Sequence, residues 1–141
     1  MSSSTSAVTD DPECRAPLHP LALRGIELFN AGDYFEAHEE LENAWRQETG
    51  PVRNLYRGIL QVAVAYYHAR RGNYVGARKM LLRCRRWLAP FPDICRGIDL
   101  GSLRRDFLAI EAAIKRLGPD HISELDAAMF RPIHLVDPGE V

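Results

Sequence analysis

The chain has 141 residues, 46% of them hydrophobic and 26% charged, and a net charge of −1, which is the size and balance of one globular domain with one contiguous core. Its longest nearly uncharged stretch, Gly58 to Ala69, is interrupted by Gln61 and His68 and is too short to span a bilayer, so no membrane partner is expected. Three cysteines, Cys14, Cys84 and Cys95, form an odd set without a Cys-x-x-Cys pair, which argues against a disulfide scaffold or a zinc knuckle and for reduced thiols in a cytoplasmic protein.

In chain order, residues 1–16 are rich in Ser, Thr, Asp and Pro and lack the basic start and apolar block of a signal peptide, so they read as a flexible leader. One helical domain follows over 17–130. A first helix is predicted from Pro20 to Asn30, contributing Leu21, Ile26, Leu28 and Phe29, and it stops at Ala31-Gly32. Asp33 is placed to accept from the first free amides of a second helix, Tyr34 to Glu48. On that helix Tyr34, His38, Leu41 and Trp45 fall on one stripe, which points His38 inward. Gly50-Pro51 ends it and opens a third helix, Val52 to Arg71, apolar on nearly every side and therefore central. Its exceptions, Arg53, Arg57, Gln61 and His68, form a narrow polar line, and Gly58 beside them permits a close approach. A fourth helix, Tyr74 to Ala89, buries Tyr74, Ala77, Leu81 and Leu88. A fifth, Ser102 to Leu117, repeats Leu103, Phe107, Ile110, Ile114 and Leu117. A short sixth lies near His121 to Phe130, and residues 131–141 read as an extended tail. No strand pattern of useful length is present.

Two corners repeat forty residues apart: Gly32-Asp33-Tyr34-Phe35-Glu36-Ala37 and Gly72-Asn73-Tyr74-Val75-Gly76-Ala77. The Gly-x-Tyr-x-x-Ala turn with a leucine four positions on looks like the corner of tetratricopeptide hairpins. Two such units are too few for a free solenoid, so the expected fold is all-α, a compact bundle of five to six helices built on two tetratricopeptide-like hairpins.

Charge is segregated along the chain. Residues 1–48 hold ten acids and three bases, residues 49–92 nine bases and no acid, and the remainder nine acids and six bases. The favoured reading is attraction between neighbouring helices of one fold, ahead of a nucleic-acid face built on Arg78, Lys79, Arg83, Arg85 and Arg86.

The run from Phe29 through His38-Glu39-Glu40-Leu41-Glu42-Asn43-Ala44-Trp45-Arg46 closely resembles the signature of domain-of-unknown-function family three-zero-nine. So do the downstream Gly58-Ile59-Leu60-Gln61 and the Gly76-Ala77 step. The resemblance covers about Leu21 to Leu88 and implies a small all-helical prokaryotic protein, without supplying a biochemical role.

The site candidates are His38, Glu39, Glu42, Trp45, Arg57, Gln61 and His68. His38 and Glu42 are one turn apart and the polar line of the third helix is expected to face them. The favoured arrangement is a buried hydrogen-bonded network in which Arg57 neutralises Glu39 or Glu42 and Gln61 satisfies His38. Trp45 then fills the core, its ring N–H meeting a carbonyl. Metal binding at His38 and Glu42 is not favoured, because both His-Glu-x-x-His and the paired Glu-x-x-His of di-iron bundles are missing. No cofactor is favoured. Cys84, flanked by arginines but without a base, is taken as inert. The preferred function is a non-catalytic binding module for a protein or peptide, with a homodimer as a further possibility and nucleic acid disfavoured. The alternative is a small metal-assisted or acid/base enzyme centred on His38, Glu39 and Glu42.

Overall fold

The computed structural model describes residues 11–136; the rest of the expected leader and tail lies outside them. Among the described residues the helices are α1 (Pro12–Arg15), α2 (Pro20–Asn30), α3 (Tyr34–Gln47), α4 (Arg53–Arg70), α5 (Tyr74–Leu88) and α6 (Leu100–Leu117). Two short strands, β1 (Ile94–Cys95) and β2 (Ile98–Asp99), form an antiparallel turn between α5 and α6. The molecule is mostly helical, as its periodicity predicts.

Each boundary has a local cause. Pro20 opens α2 while His19 Nδ1 accepts from the Leu21 amide at 3.0 Å. Asp99 caps α6 by accepting from the Ser102 amide at 3.0 Å, so α6 begins two residues before the predicted Ser102. The twin corners share one geometry: Gly32 and Gly72 have φ of 85° and 76°. Beyond them the amides of Asp33 and Asn73 return to the carbonyls of Leu28 and His68, each at 2.9 Å. Only the second corner has a side-chain cap. Asn73 accepts from the Gly76 amide at 2.9 Å, whereas Asp33 caps nothing, contrary to the sequence expectation. Asn73 is steadied by donating to His68 Nδ1 at 3.3 Å, and the place equivalent to His68 in the first corner is held by Leu28, which offers no partner.

Helix α4 lies between α3 and α5 and carries the core through Leu55, Tyr56, Ile59, Val62, Ala63 and Tyr66. Phe29 of α2, Leu41 of α3, Leu81 and Leu88 of α5, and Phe107 and Ile110 of α6 complete it. Gly58 serves the close approach its sequence context suggested: a Cβ there would collide with the Leu88 side chain and touch Trp87 Cβ at 3.4 Å. Gly25 does the same for the first hairpin, with Leu41 Cγ 2.7 Å from where its Cβ would be. No helix among the described residues is long and apolar enough to cross a membrane.

The largest departures are at the ends. Cys14 and Cys95, expected as free thiols, are joined in a disulfide that spans a separation of 81 residues, and only Cys84 is free. Spacing alone had no means of pairing two cysteines so far apart. Helix α1, within the segment expected as leader, is bonded to the β-turn through Cys14, which is buried. The predicted sixth helix is instead two 3-10 turns, Ile122–Glu124 and Ala127–Met129. Asp126 takes the Ala128 amide with its own side chain, a local bond that competes with continued helix. Residues 131–136 are extended and docked: Asn30 brackets Ile133 through bonds of 2.7 and 2.9 Å, and the Val136 amide donates to the Gly97 carbonyl at 2.7 Å.

Candidate functional site

Helix α3 buries Tyr34, Ala37, Leu41 and Ala44. This is the predicted stripe turned toward its alanines, and it moves His38 and Trp45 from the core to its edge. Phe35, His38, Glu42 and Trp45, at increments of three, four and three, then form one wall of a shallow face over α4. The floor comes from the partly exposed side of α4: Arg53, Arg57, Leu60, Val64, Tyr67 and His68. Met80, Arg83 and Trp87 of α5 follow at increments of three and four and form the opposite wall.

At one end of the face two arginines alternate with the chain's two tryptophans. The Arg53 guanidinium lies 4.1 Å from the Trp45 ring centre, and Arg57 lies 5.2 Å from Trp45 and 4.7 Å from Trp87. Arg53 Nε also donates to the Trp45 carbonyl at 3.0 Å. Stacking satisfies the flat faces of these cations and leaves their in-plane N–H edges for acceptors. At the other end, Phe35 packs on Tyr67 at 5.6 Å and Arg71 covers Tyr67 at 5.2 Å.

Five of the seven predicted residues, His38, Glu42, Trp45, Arg57 and His68, line the face, and Arg57 stacks on Trp45, but the seven share no polar network among the described residues. His38 Nδ1 donates to the Phe35 carbonyl one turn back at 2.7 Å, Glu42 pairs with Arg46 at 3.6 Å, and Glu39 is exposed. Gln61 is buried, yet its Oε1 has no partner. Among the described residues Arg57 has ring partners only, and Trp45 Nε1 is buried without the carbonyl expected for it. The buried His/Glu/Arg/Gln network is thus absent among the described residues, because the small Ala37 and Ala44 took the inward positions. Among the described residues His68 alone of the set has a side chain hydrogen-bonded to a neighbouring element, accepting from Asn73. Its pKa is lowered by burial and then by the Arg71 charge, a shift that favours the neutral imidazole this role needs. Among the described residues, no group of three or more His, Cys, Asp or Glu side chains is arranged to hold a metal ion.

The expected pairing between acidic and basic blocks also fails. No ion pair among the described residues joins an acid of 1–48 to a base of 49–92. Glu40 pairs with Arg24 of α2 at 3.8 Å, and Arg85 pairs with Glu111 of α6 at 2.7 Å. The arginines of α4 lie on aromatic rings instead. Burial pushes the Cys84 thiol up, well away from thiolate, consistent with an inert cysteine.

Sequence reasoning missed Phe35, whose place on the wall follows once the stripe is shifted by one residue, and Arg96. The latter has φ of 54°, a side chain 5% exposed, and bonds to Glu48 Oε1 at 2.9 Å, Glu13 Oε1 at 3.2 Å and the Tyr56 hydroxyl at 3.3 Å. Nothing in its local sequence sets it apart. Two clefts lie elsewhere: one of about 410 Å³ between Cys14, Asn54, Trp87 and Phe91, and one of about 300 Å³ between Asn30, Tyr34, Arg70 and Phe130. None of the seven predicted residues lines either cleft.

The chain is similar to an uncharacterized protein of Aquifex aeolicus (strain VF5), with 32% identity over 77 residues that cover 54% of this chain and 23% of that one. It is also similar to the uncharacterized protein YpuF of Bacillus subtilis (strain 168), with 42% identity over 57 residues, 40% of this chain and 33% of that one. The match thus spans about a quarter to a third of these relatives' own lengths. Residues 22–80, from the start of α2 into the middle of α5 and including most of the face over α4, match the model of the family described as Domain of unknown function (DUF309).

Proposed function

We propose that the protein is a non-catalytic binding module that holds a peptide or partner helix on the face over α4. The observation that carries this reading is the strip itself. Phe35, Leu60, Val64, Tyr67, Met80 and Trp87 are each left partly or fully exposed along three adjacent helices, and Phe35 is 47% exposed. A contiguous row of large apolar groups on a folded surface marks an interaction site, and a groove between helices accepts an amphipathic helix through anchors at i, i+3, i+4 and i+7. His38, Glu39 and Glu42 have separate surroundings and do not converge on one reacting atom, which favours binding over acid/base chemistry.

The test is amide chemical-shift mapping with a synthetic amphipathic helix that has a leucine face and a glutamine face. Shifts are expected along Leu60, Val64, Tyr67 and Met80, and Val64→Lys should abolish them without unfolding the protein. Shifts confined to other surfaces, or unchanged by Val64→Lys, would remove the proposal.

A further inference from the structure

We infer that the occupant of this face is an acidic amphipathic helix, one whose carboxylates flank its apolar stripe. This rests on the binding reading above and adds the partner's chemistry. No Asp or Glu occurs from residue 49 to 92, so the floor of the face and one of its two walls carry only positive charge. Arg53, Arg57, Arg71 and Arg83 line or border the face, and none of them is in an ion pair among the described residues. Arg57 is half-buried between two indole rings and has no hydrogen-bond acceptor among the described residues. A guanidinium held flat by stacking is already oriented, so a carboxylate that reaches its edge gains a charge-assisted, bidentate contact at little further cost in order. The apolar floor between the cations, Leu60 and Val64, takes the stripe. On the opposite wall Glu42 is engaged with Arg46, which leaves the cations to set the sign of the partner.

The experiment uses the full chain and three synthetic helices of about 18 residues, about 27 Å long. They share one leucine face and differ in a polar face of Glu, Gln or Lys. A single-stranded oligothymidylate serves as the nucleic-acid probe. Binding is read by fluorescence anisotropy at about 50 and about 300 mM salt, where screening separates charge from apolar contact. The Glu helix is expected to bind about tenfold tighter than the Gln helix and to lose that margin at high salt. The Lys helix is expected not to bind. Because Arg71 and Arg83 are exposed and without ion pairs, the double variant Arg71→Glu/Arg83→Glu should stay folded and reverse the preference. Equal binding of Glu, Gln and Lys helices, with Val64→Lys abolishing all three, would overturn the inference while keeping the binding module. Failure of every helix would overturn both. Tighter binding of the oligothymidylate than of the Glu helix would also overturn the inference.

Discussion

Arg96 is the residue whose loss should be felt most. Its guanidinium joins α1, the end of α3 and α4 through Glu13, Pro17, Glu48 and Tyr56, and it is almost fully enclosed. Arg96→Ala removes the hydrogen bonds to Glu13, Pro17, Glu48 and Tyr56 together and leaves the mostly enclosed Glu48 without its cation, so it should destabilise the protein by about 3 kcal/mol. Arg96→Lys should recover only part of this, since an ammonium cannot reproduce the fork of donors. Urea unfolding measures both, and a loss below about 1 kcal/mol for the alanine variant would contradict the assignment. At this scale the sequence was least informative. The cation follows an isolated cysteine in a loop, and its partners are 40 to 83 residues away. By contrast, a histidine among glutamates pointed to a buried polar network, whereas the folded chain leaves His38 at the edge of the core and Glu39 exposed.

Elements were more legible than the contacts between them. Gly32 and Gly72 mark the corners, Gly50-Pro51 separates α3 from α4, and Gly118-Pro119 follows the end of α6, all as local backbone chemistry requires. The facing of α3 was harder. Tyr34-His38-Leu41-Trp45 and Tyr34-Ala37-Leu41-Ala44 both fit a helical period, and the large residues drew the assignment. Alanine wins where helices approach closely, because a bulky side chain would hold them apart. Gly58 follows the same rule on α4. Gly58→Ala should cost about 1–2 kcal/mol despite alanine's better helix propensity, because Leu88 is fully buried and has no space to yield. Thermal unfolding checks this. An increase in Tm would show that α4 and α5 can separate to admit the methyl group.

For the whole molecule, the disulfide is the feature that changes the reading most. It closes a loop across a separation of 81 residues, and the chain-entropy relation gives an upper stabilisation of about 4.5 kcal/mol for a loop of that length. Reduction, or Cys14→Ser, should lower the urea midpoint by a matching fraction, and reductant should have no further effect on the Cys14→Ser variant. An unchanged midpoint on reduction would mean that the Arg96 contacts alone hold α1. Charge segregation also acts at this scale. Its sign pattern was plain in the sequence, but its use was not, because composition says nothing about which face a cation takes. The arginines of α4 stack on Trp45, Trp87 and Tyr34 and form no ion pair with the acids of α3 among the described residues.

The Cys14–Cys95 bond also makes a covalent ring that contains α2, α3, α4 and α5. A protease that nicks the backbone once anywhere inside that ring releases no fragment, and the cut chain migrates as a single species until a thiol opens the bond. Tension applied to the two termini would likewise pass from residue 14 to residue 95 through sulfur, bypassing both hairpins and loading the bonds that hold residues 131–136 to Asn30 and Gly97.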